Sequence, residues 1–343
     1  MQPAILEQVR ASLLDKRAAL GQWLSRTPAP ARAIRLGPAA EAAVTEHLDH
    51  LGGYIAQADS GQLGLCTVCH DFVDSKRLVA DYTAQVCLDH LSPEEASRLE
   101  QELEMAQVVQ RALLPAEAPD LPGLQLAAFT RPVQIIGGDY FDFLSYQGGA
   151  VGWAVGDVAG HGVAASLHMA GLQALCRAII PSSSGPAEAA ERIQRLFVHN
   201  SRYTTFVSLF LAAFDPSSRT LTYANAGHNP PLLVSSDGPS AASARWLHPT
   251  GAAIGLVEEG TYTEERIVLR QGDLVVMYTD GVVEATDRQG RPFDAARLAK
   301  VVEGVRRAPA GEVVRAITQA VEDFLGGGDP ADDITLVVAR VTS

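Results

Sequence analysis

Five aspartates of this chain stand where apolar, strand-like runs meet glycines or turns. Asp139 lies in VQIIGGDYFDF, Asp157 in AVGWAVGDVAGHG, Asp280 closes DLVVMYTDG, and Asp332 and Asp333 open DDITLVVARV. Strand ends on a rigid sheet can hold carboxylates at fixed separation. Several carboxylates brought together repel one another unless a divalent cation neutralises them. All-oxygen donors of this kind favour Mg²⁺ or Mn²⁺. Two such ions about 3.5–4 Å apart can generate a hydroxide and clamp a phosphoryl group. A single Asp before a glycine is most often an ordinary turn residue, so the metal reading rests on several acids presented alike.

A second constellation has different chemistry. LGLCTVCHDFVDSKRLVADYTAQVCLDH spaces its ligand types as Cys66-x2-Cys69-x17-Cys87-x2-His90. Two close pairs separated by about 15–20 residues match a structural Zn²⁺ site. Three thiolates and a neutral imidazole fill a tetrahedron and leave no open position for catalysis. The plainer reading is a set of reduced, partly buried thiols. CTVCH also matches a haem-attachment pattern, which leaves Cys87 and His90 unexplained. His70 is an alternative ligand, and Cys176 reads as a core thiol.

The elements that must position these residues follow from composition and pattern. With 343 residues, 47% of them hydrophobic, the chain can form two or three domains with buried cores. A net charge of −13 argues against a sequence-independent grip on nucleic acid. No apolar run is read as approaching the roughly 18–20 residues of a membrane span. Glu7, Arg10, Asp15, Lys16 and Arg17 argue against a signal peptide, so a cytoplasmic protein is expected. Residues 1–60 form a helical region, broken at RTPAPARAIRLGP, and 61–92 the Cys/His segment. Residues 93–115 form a linker helix, with Ser92 as N-cap, Pro93 in its first turn and Glu95 completing a capping box. Leu99, Leu103, Ala106, Gln110 and Leu113 make an incomplete coiled-coil stripe. That helix either packs on its own domain or dimerises and relays a signal; a homodimer through residues 93–114 is expected. From 116 to 343, short β-like runs alternate with helical runs at 163–180, 186–200, 294–307 and 311–325, an α+β layered domain.

Taken in order, GGDYFDF, GDVAGHG, YANAGHNPPLL, TDGVVEA and DDITLVV resemble the SpoIIE/RsbU-type branch of the PPM (PP2C-like) serine/threonine phosphatases. The resemblance spans about residues 105–343, and VVQRALLP is similar to a linker that can act as a switch in that family. It implies an α/β/β/α sandwich with the acids at one edge. Asp157 would bridge two metals, the Val158 carbonyl would bind one, Asp280 and Asp332 would be ligands, and Asp139 would hold the second ion directly or through water. Asp157 and Asp280 are then the catalytic pair, and a metal-bridging hydroxide attacks phosphorus in line. The resemblance makes Asp332 rather than Asp333 the ligand, and Asp142 a turn or supporting acid. The general acid of PP2C proper does not carry over to His161, and Arg131 is the candidate phosphate-binding cation. Asn225, Gly227 and His228 read as architectural. GGDYF also looks like the GGDEF turn of diguanylate cyclases, but that leaves the other four motifs unexplained.

Residues 58–92 resemble a DksA/TraR-type zinc finger through Gly61, Gly64, the two cysteines, Arg77 and Leu78, with His90 where that family has cysteine. The resemblances together imply a metal-dependent phosphatase regulated by its zinc-bearing N-terminal region, acting on a phosphoprotein such as a STAS-type anti-sigma antagonist. The alternative is a non-catalytic transcription regulator whose finger binds RNA polymerase or another protein partner.

Overall fold

A computed structural model describes residues 3–26, 40–74, 78, 82–160, 162–201, 205–235, 244–257 and 259–342. The chain divides into two compact units, Met1–Gln101 and Glu102–Ser343. The division falls inside a helix rather than at its ends.

In the first unit α1 (Pro3–Arg26) and α2 (Ala40–Asp59) bury Val9, Leu13, Leu51, Ile55 and Ala58. Leu63, Cys66, Val73, Leu78 and Ala84 of the following segment join the same core. Arg10 on α1 is bonded to Asp59 at the end of α2. α3 (Pro93–Leu113) begins in this unit and ends in the next. The capping box rests on Glu95, whose side chain lies outside the described residues.

The second unit is two five-stranded antiparallel sheets. One orders β1 (Leu124–Arg131), β10 (Ile334–Val341), β9 (Leu274–Tyr278), β6 (Leu232–Val234) and β7 (Ala244–Trp246). The other orders β2 (Asp139–Ser145), β3 (Val151–Val158), β4 (Val207–Asp215), β5 (Thr220–Ala226) and β8 (Glu265–Val268). Alternation of side chains sorts each strand into two faces. Phe141, Trp153, Val155, Phe210 and Tyr223 pack against Val275, Met277, Val337 and Ala339 between the sheets. The other parity faces helices. α4 (Gly162–Ile179) and α5 (Pro186–Ser201) cover the β3–β4 sheet, while α7 (Asp294–Gly304) and α8 (Ala310–Leu325) cover the β9–β10 sheet. The layer order is α/β/β/α, as the resemblance implies. Each fully buried side chain such as Phe210 contributes about 1.5–3 kcal/mol by leaving water.

Several elements depart from the sequence reading, the short β7 among them. β2 was not among the expected strands, because Tyr140, Phe141 and Asp142 are buried in succession and hide the alternation. Asp280 does not simply end a strand: it opens a single helical turn, α6 (Asp280–Val283). Residues Gly162–Ser182 are, by length and composition, apolar enough to cross a membrane, although no such run was read from the sequence. Ala165, Met169, Leu172, Cys176 and Ile179 of that stretch are buried on the β2–β4 sheet, which accounts for its apolarity.

Candidate metal centre and thiol cluster

Antiparallel pairing brings the acids to one edge. The start of β2 lies beside the end of β3, so Asp139 is directly opposite Asp157. In the other sheet the start of β10 lies beside the end of β9, which brings Asp332 and Asp333 next to Thr279 and Asp280. Asp139 and Asp157 share the parity of Phe141 and Val155, so both face the space between the sheets at its open end.

Three glycines permit this approach. A Cβ on Gly137 would collide with the Asp333 carboxylate, and one on Gly281 with the Asp333 carbonyl. A Cβ on Gly138 would lie 3.0 Å from the Val158 carbonyl oxygen. The Asp333 carboxylate is occupied by the loop before β2, accepting the Val133 and Gly138 amides at 2.7 Å each. Asp332 is half-buried, and its Oδ1 accepts the Asp333 amide at 2.8 Å.

Burial and crowding of like charges raise the proton affinity of several members of the cluster. Burial, then Asp157, pushes the Asp139 carboxyl well above its ordinary range. Burial followed by Asp280, Asp332, Asp333 and Glu284 raises Asp157 to about 7. Burial and then Asp332 and Glu284 raise Asp280 to about 6. Asp333 is also raised, burial being the first cause. Among the described residues, no cationic side chain is a leading cause of these shifts. Among the described residues, no three of these carboxylates bring oxygens within 4.8 Å of one another. The spacing therefore leaves room between them, and an all-carboxylate donor set with unrelieved repulsion suits a hard divalent cation.

The remaining sequence candidates separate. Asp142 has the opposite parity on β2 and points to the helix layer, where Arg177 Nε on α4 donates to its Oδ2 at 2.7 Å. It is a buried ion-pair partner, neither a turn residue nor a neighbour of the acid edge. Arg131 also takes the helix-side parity, and it pairs with Glu322 on α8 at 3.3 Å. His161 lies outside the described residues, as does Arg77 of the first unit. His228 is buried and neutral, its proton affinity lowered to about 4 by burial. Its Nδ1 lies 2.7 Å from the Ser208 hydroxyl, and Ser208 is opposite Asp157 in the β3–β4 register. Asn225 fixes that turn by accepting the His228 amide at 2.8 Å.

Sequence reasoning missed the hydroxyls beneath the acids. Thr279 donates to Asp139 Oδ2 at 2.8 Å, and Thr130 bonds Thr335 at the same distance. The available signal was parity: Thr279 continues the inward face of Val275 and Met277, and Thr335 that of Val337 and Ala339. Gln110 of α3 does more than occupy a position in the helix stripe. Its amide clamps Gly137, donating to the carbonyl at 2.7 Å and accepting the N–H at 3.1 Å. Gln173 and Arg177 of α4 both donate to the Leu113 carbonyl at the end of α3.

In the first unit, Cys66, Cys69, Cys87 and His90 bring their ligand atoms within 4.8 Å of one another. Cys66 Sγ lies 3.8 Å from His90 Nδ1, and the Cys69 and Cys87 sulfurs are 3.9 Å apart. Metal–sulfur bonds of about 2.3 Å in a tetrahedron require edges of about 3.8 Å, so the cluster has the size of a metal cage. Gly64 and His70 supply the turns around it at φ 76° and 60°. Backbone amides of Cys69, Cys87 and Val68 hold the Cys66 thiol down to about 5, which favours a thiolate. His70 is not a member of the group.

Comparison with known proteins agrees with the fold. Residues 147–342 match the family described as stage II sporulation protein E (SpoIIE). The phosphoserine phosphatase RsbU of Bacillus subtilis is 26% identical over 245 residues, covering 71% of this chain and 70% of RsbU. Among solved structures, the SiaA-PP2C domain of Pseudomonas aeruginosa superposes with a TM-score of 0.63 at 23% identity, covering 71% of this chain and 98% of that domain. The RsbU and RsbW domains of Rv1364c from Mycobacterium tuberculosis superpose with a TM-score of 0.57 at 31% identity, covering 67% of this chain and 63% of that one. The match to the SpoIIE family takes in more than half of the chain, and the fold agrees with it: this chain belongs to the SpoIIE family of PP2C-like protein serine/threonine phosphatases.

Proposed function

We propose that the chain hydrolyses phosphoserine or phosphothreonine on a signalling protein, using two Mn²⁺ or Mg²⁺ ions at the acid edge. Asp139, Asp157, Asp280, Asp332 and the Val158 carbonyl would hold the ions, with Asp157 as the ligand they would share. The observation that carries this reading is that Asp139, Asp157 and Asp280, beside Asp332 at the open end between the sheets, have raised proton affinities whose causes include neighbouring acids. When bound, the ions supply an activated water and neutralise the phosphoryl oxygens. The chain's own residues hold the ligands in place: Thr279 orients Asp139, Asp333 pins the loop before β2, and Gly281 lets Asp280 approach Asp333.

The N-terminal region is proposed as regulatory. Its Cys₃His cluster fits structural Zn²⁺, and α3 runs from that unit to Gln110, whose amide grips the loop that leads into Asp139. A second copy of the chain is the proposed partner of the exposed Met105, Val108 and Val109 on α3. The proposed substrate is a phosphorylated STAS-type protein in a partner-switching pathway, in a cytoplasmic setting.

The deciding experiment is hydrolysis of p-nitrophenyl phosphate by the full chain with Mn²⁺, beside EDTA-treated and Asp280→Asn samples. Turnover that persists in both controls refutes the metal assignment. Release of phosphate from a phosphorylated STAS protein tests the substrate separately.

A further inference from the structure

The hydrogen bonds of Thr279 leave its hydroxyl one role. Thr279 is fully buried, between the end of β9 and Asp280. Its Oγ1 accepts the Thr335 amide at 3.0 Å. The hydroxyl proton must therefore point to another acceptor. Two are in reach: Asp139 Oδ2 at 2.8 Å and the Asp333 carbonyl at 3.4 Å. The nearer acceptor, at ordinary hydrogen-bond length, is the stronger one. Asp139 belongs to the β2–β3 sheet and Thr279 to the β9–β10 sheet, so this one hydroxyl ties the two sheets together at the acid edge.

We propose that Thr279 is a positioning residue for the metal centre. It engages Oδ2 of Asp139, and the Thr335 side chain acts on the same carboxylate. Because Thr279 is joined directly to Asp280, the same residue sets acids on both sheets relative to each other. A β-branched side chain suits this role, since its χ1 is stiff and its hydroxyl direction is set by the backbone. Thr335 reinforces the arrangement: its amide fixes Thr279, and its own hydroxyl bonds Thr130 at 2.8 Å. The inference rests on the two-metal reading above and adds a residue to it.

A buried hydroxyl that merely satisfies the core would affect stability but not metal affinity. The test is Mn²⁺ binding to the full chain, by calorimetry and by the rise in melting temperature, for wild type, Thr279→Val, Thr279→Ser and Asp157→Asn. Supporting groups of metal ligands typically change affinity by ~10–100-fold. Thr279→Val is expected to weaken Mn²⁺ binding by that factor while most of kcat returns at saturating Mn²⁺. Thr279→Ser restores tight binding. Thr279→Ala removes the same hydroxyl and decides the matter if the valine variant does not fold. Wild-type Mn²⁺ affinity in a folded Thr279→Val or Thr279→Ala chain overturns the proposal and leaves the metal reading intact. Failure of the wild-type chain itself to bind Mn²⁺, with Asp157→Asn indistinguishable from it, overturns both.

Discussion

Asp139 and Asp157 face each other across the β2–β3 pair, in direct register on the inward side of the sheet. Like charges directly opposite in an antiparallel pair destabilise it. The arrangement persists in a strand pair whose other inward residues include Phe141, Phe143, Trp153 and Val155. The fold therefore spends stability at the place where a cation is needed.

Removing one of these charges has opposite effects on stability and activity. Asp157→Asn is expected to raise the melting temperature of the metal-free chain by about 2–4 °C per kcal/mol of repulsion relieved. The same change lowers Mn²⁺-dependent kcat by at least ~100-fold. Calorimetry of the EDTA-treated chain and a p-nitrophenyl phosphate assay check the two halves. A metal-free variant that melts below wild type contradicts the repulsion argument.

The pH dependence has a definite sign. Asp157 and Asp280 are raised in the folded state to about 7 and about 6, above their ordinary carboxylate values. Between pH 4 and 7 the folded chain holds protons at these sites that the unfolded chain has released, so this contribution to stability falls as pH rises. The metal-free wild type should lose stability relative to Asp157→Asn between about pH 4 and pH 7. Saturating Mn²⁺ should abolish that slope. Denaturant melts of both proteins at several pH values provide the comparison, and parallel curves in the absence of metal would refute it.

Gly281→Ala places a Cβ against the Asp333 carbonyl. Relieving that collision displaces either Asp280 or Asp333, at a cost of about 1–3 kcal/mol. Activity should fall more steeply than stability, since Asp280 is adjacent. Gly304→Ala is the control: no atom lies within 4 Å of its added methyl, and it should be neutral or slightly stabilising.

Arg177→Met leaves the Asp142 carboxylate buried without its ion-pair partner. Such a loss costs about 3 kcal/mol, reduced here because Arg177 is half exposed. Because Asp142 faces the helix layer, Mn²⁺ affinity should stay near wild type while the melting temperature falls. A large loss of metal affinity would instead couple the two faces of β2.

Cys87→Ser should remove one tightly bound ion per chain, measured by metal analysis, and loosen Met1–Gln101. The Glu102–Ser343 unit has its own cores and should still melt cooperatively. A variant that keeps its full metal content would count against the Cys₃His cage.

Local pattern was enough to find the acids, the cysteines and most of the elements. Asp157, Asp280 and Asp332 border apolar runs, and the Cys66–His90 spacing is short-range chemistry that needs no fold to be seen. The alternation of Val275, Met277 and Thr279 was also present in the sequence, yet it acquires meaning only through a partner strand. Four relationships belong to the tertiary structure alone: the Asp139–Asp157 register, the Thr279–Asp139 bond across two sheets, the Gln110 clamp on Gly137, and the turning of Asp142 toward Arg177. Each joins residues from separate elements, and Thr279 and Asp139 are 140 residues apart. Residue type and spacing determined which groups were available for chemistry. Sheet pairing, and the parity that selects one face of each strand, decided which of them share an edge and which are turned away from it.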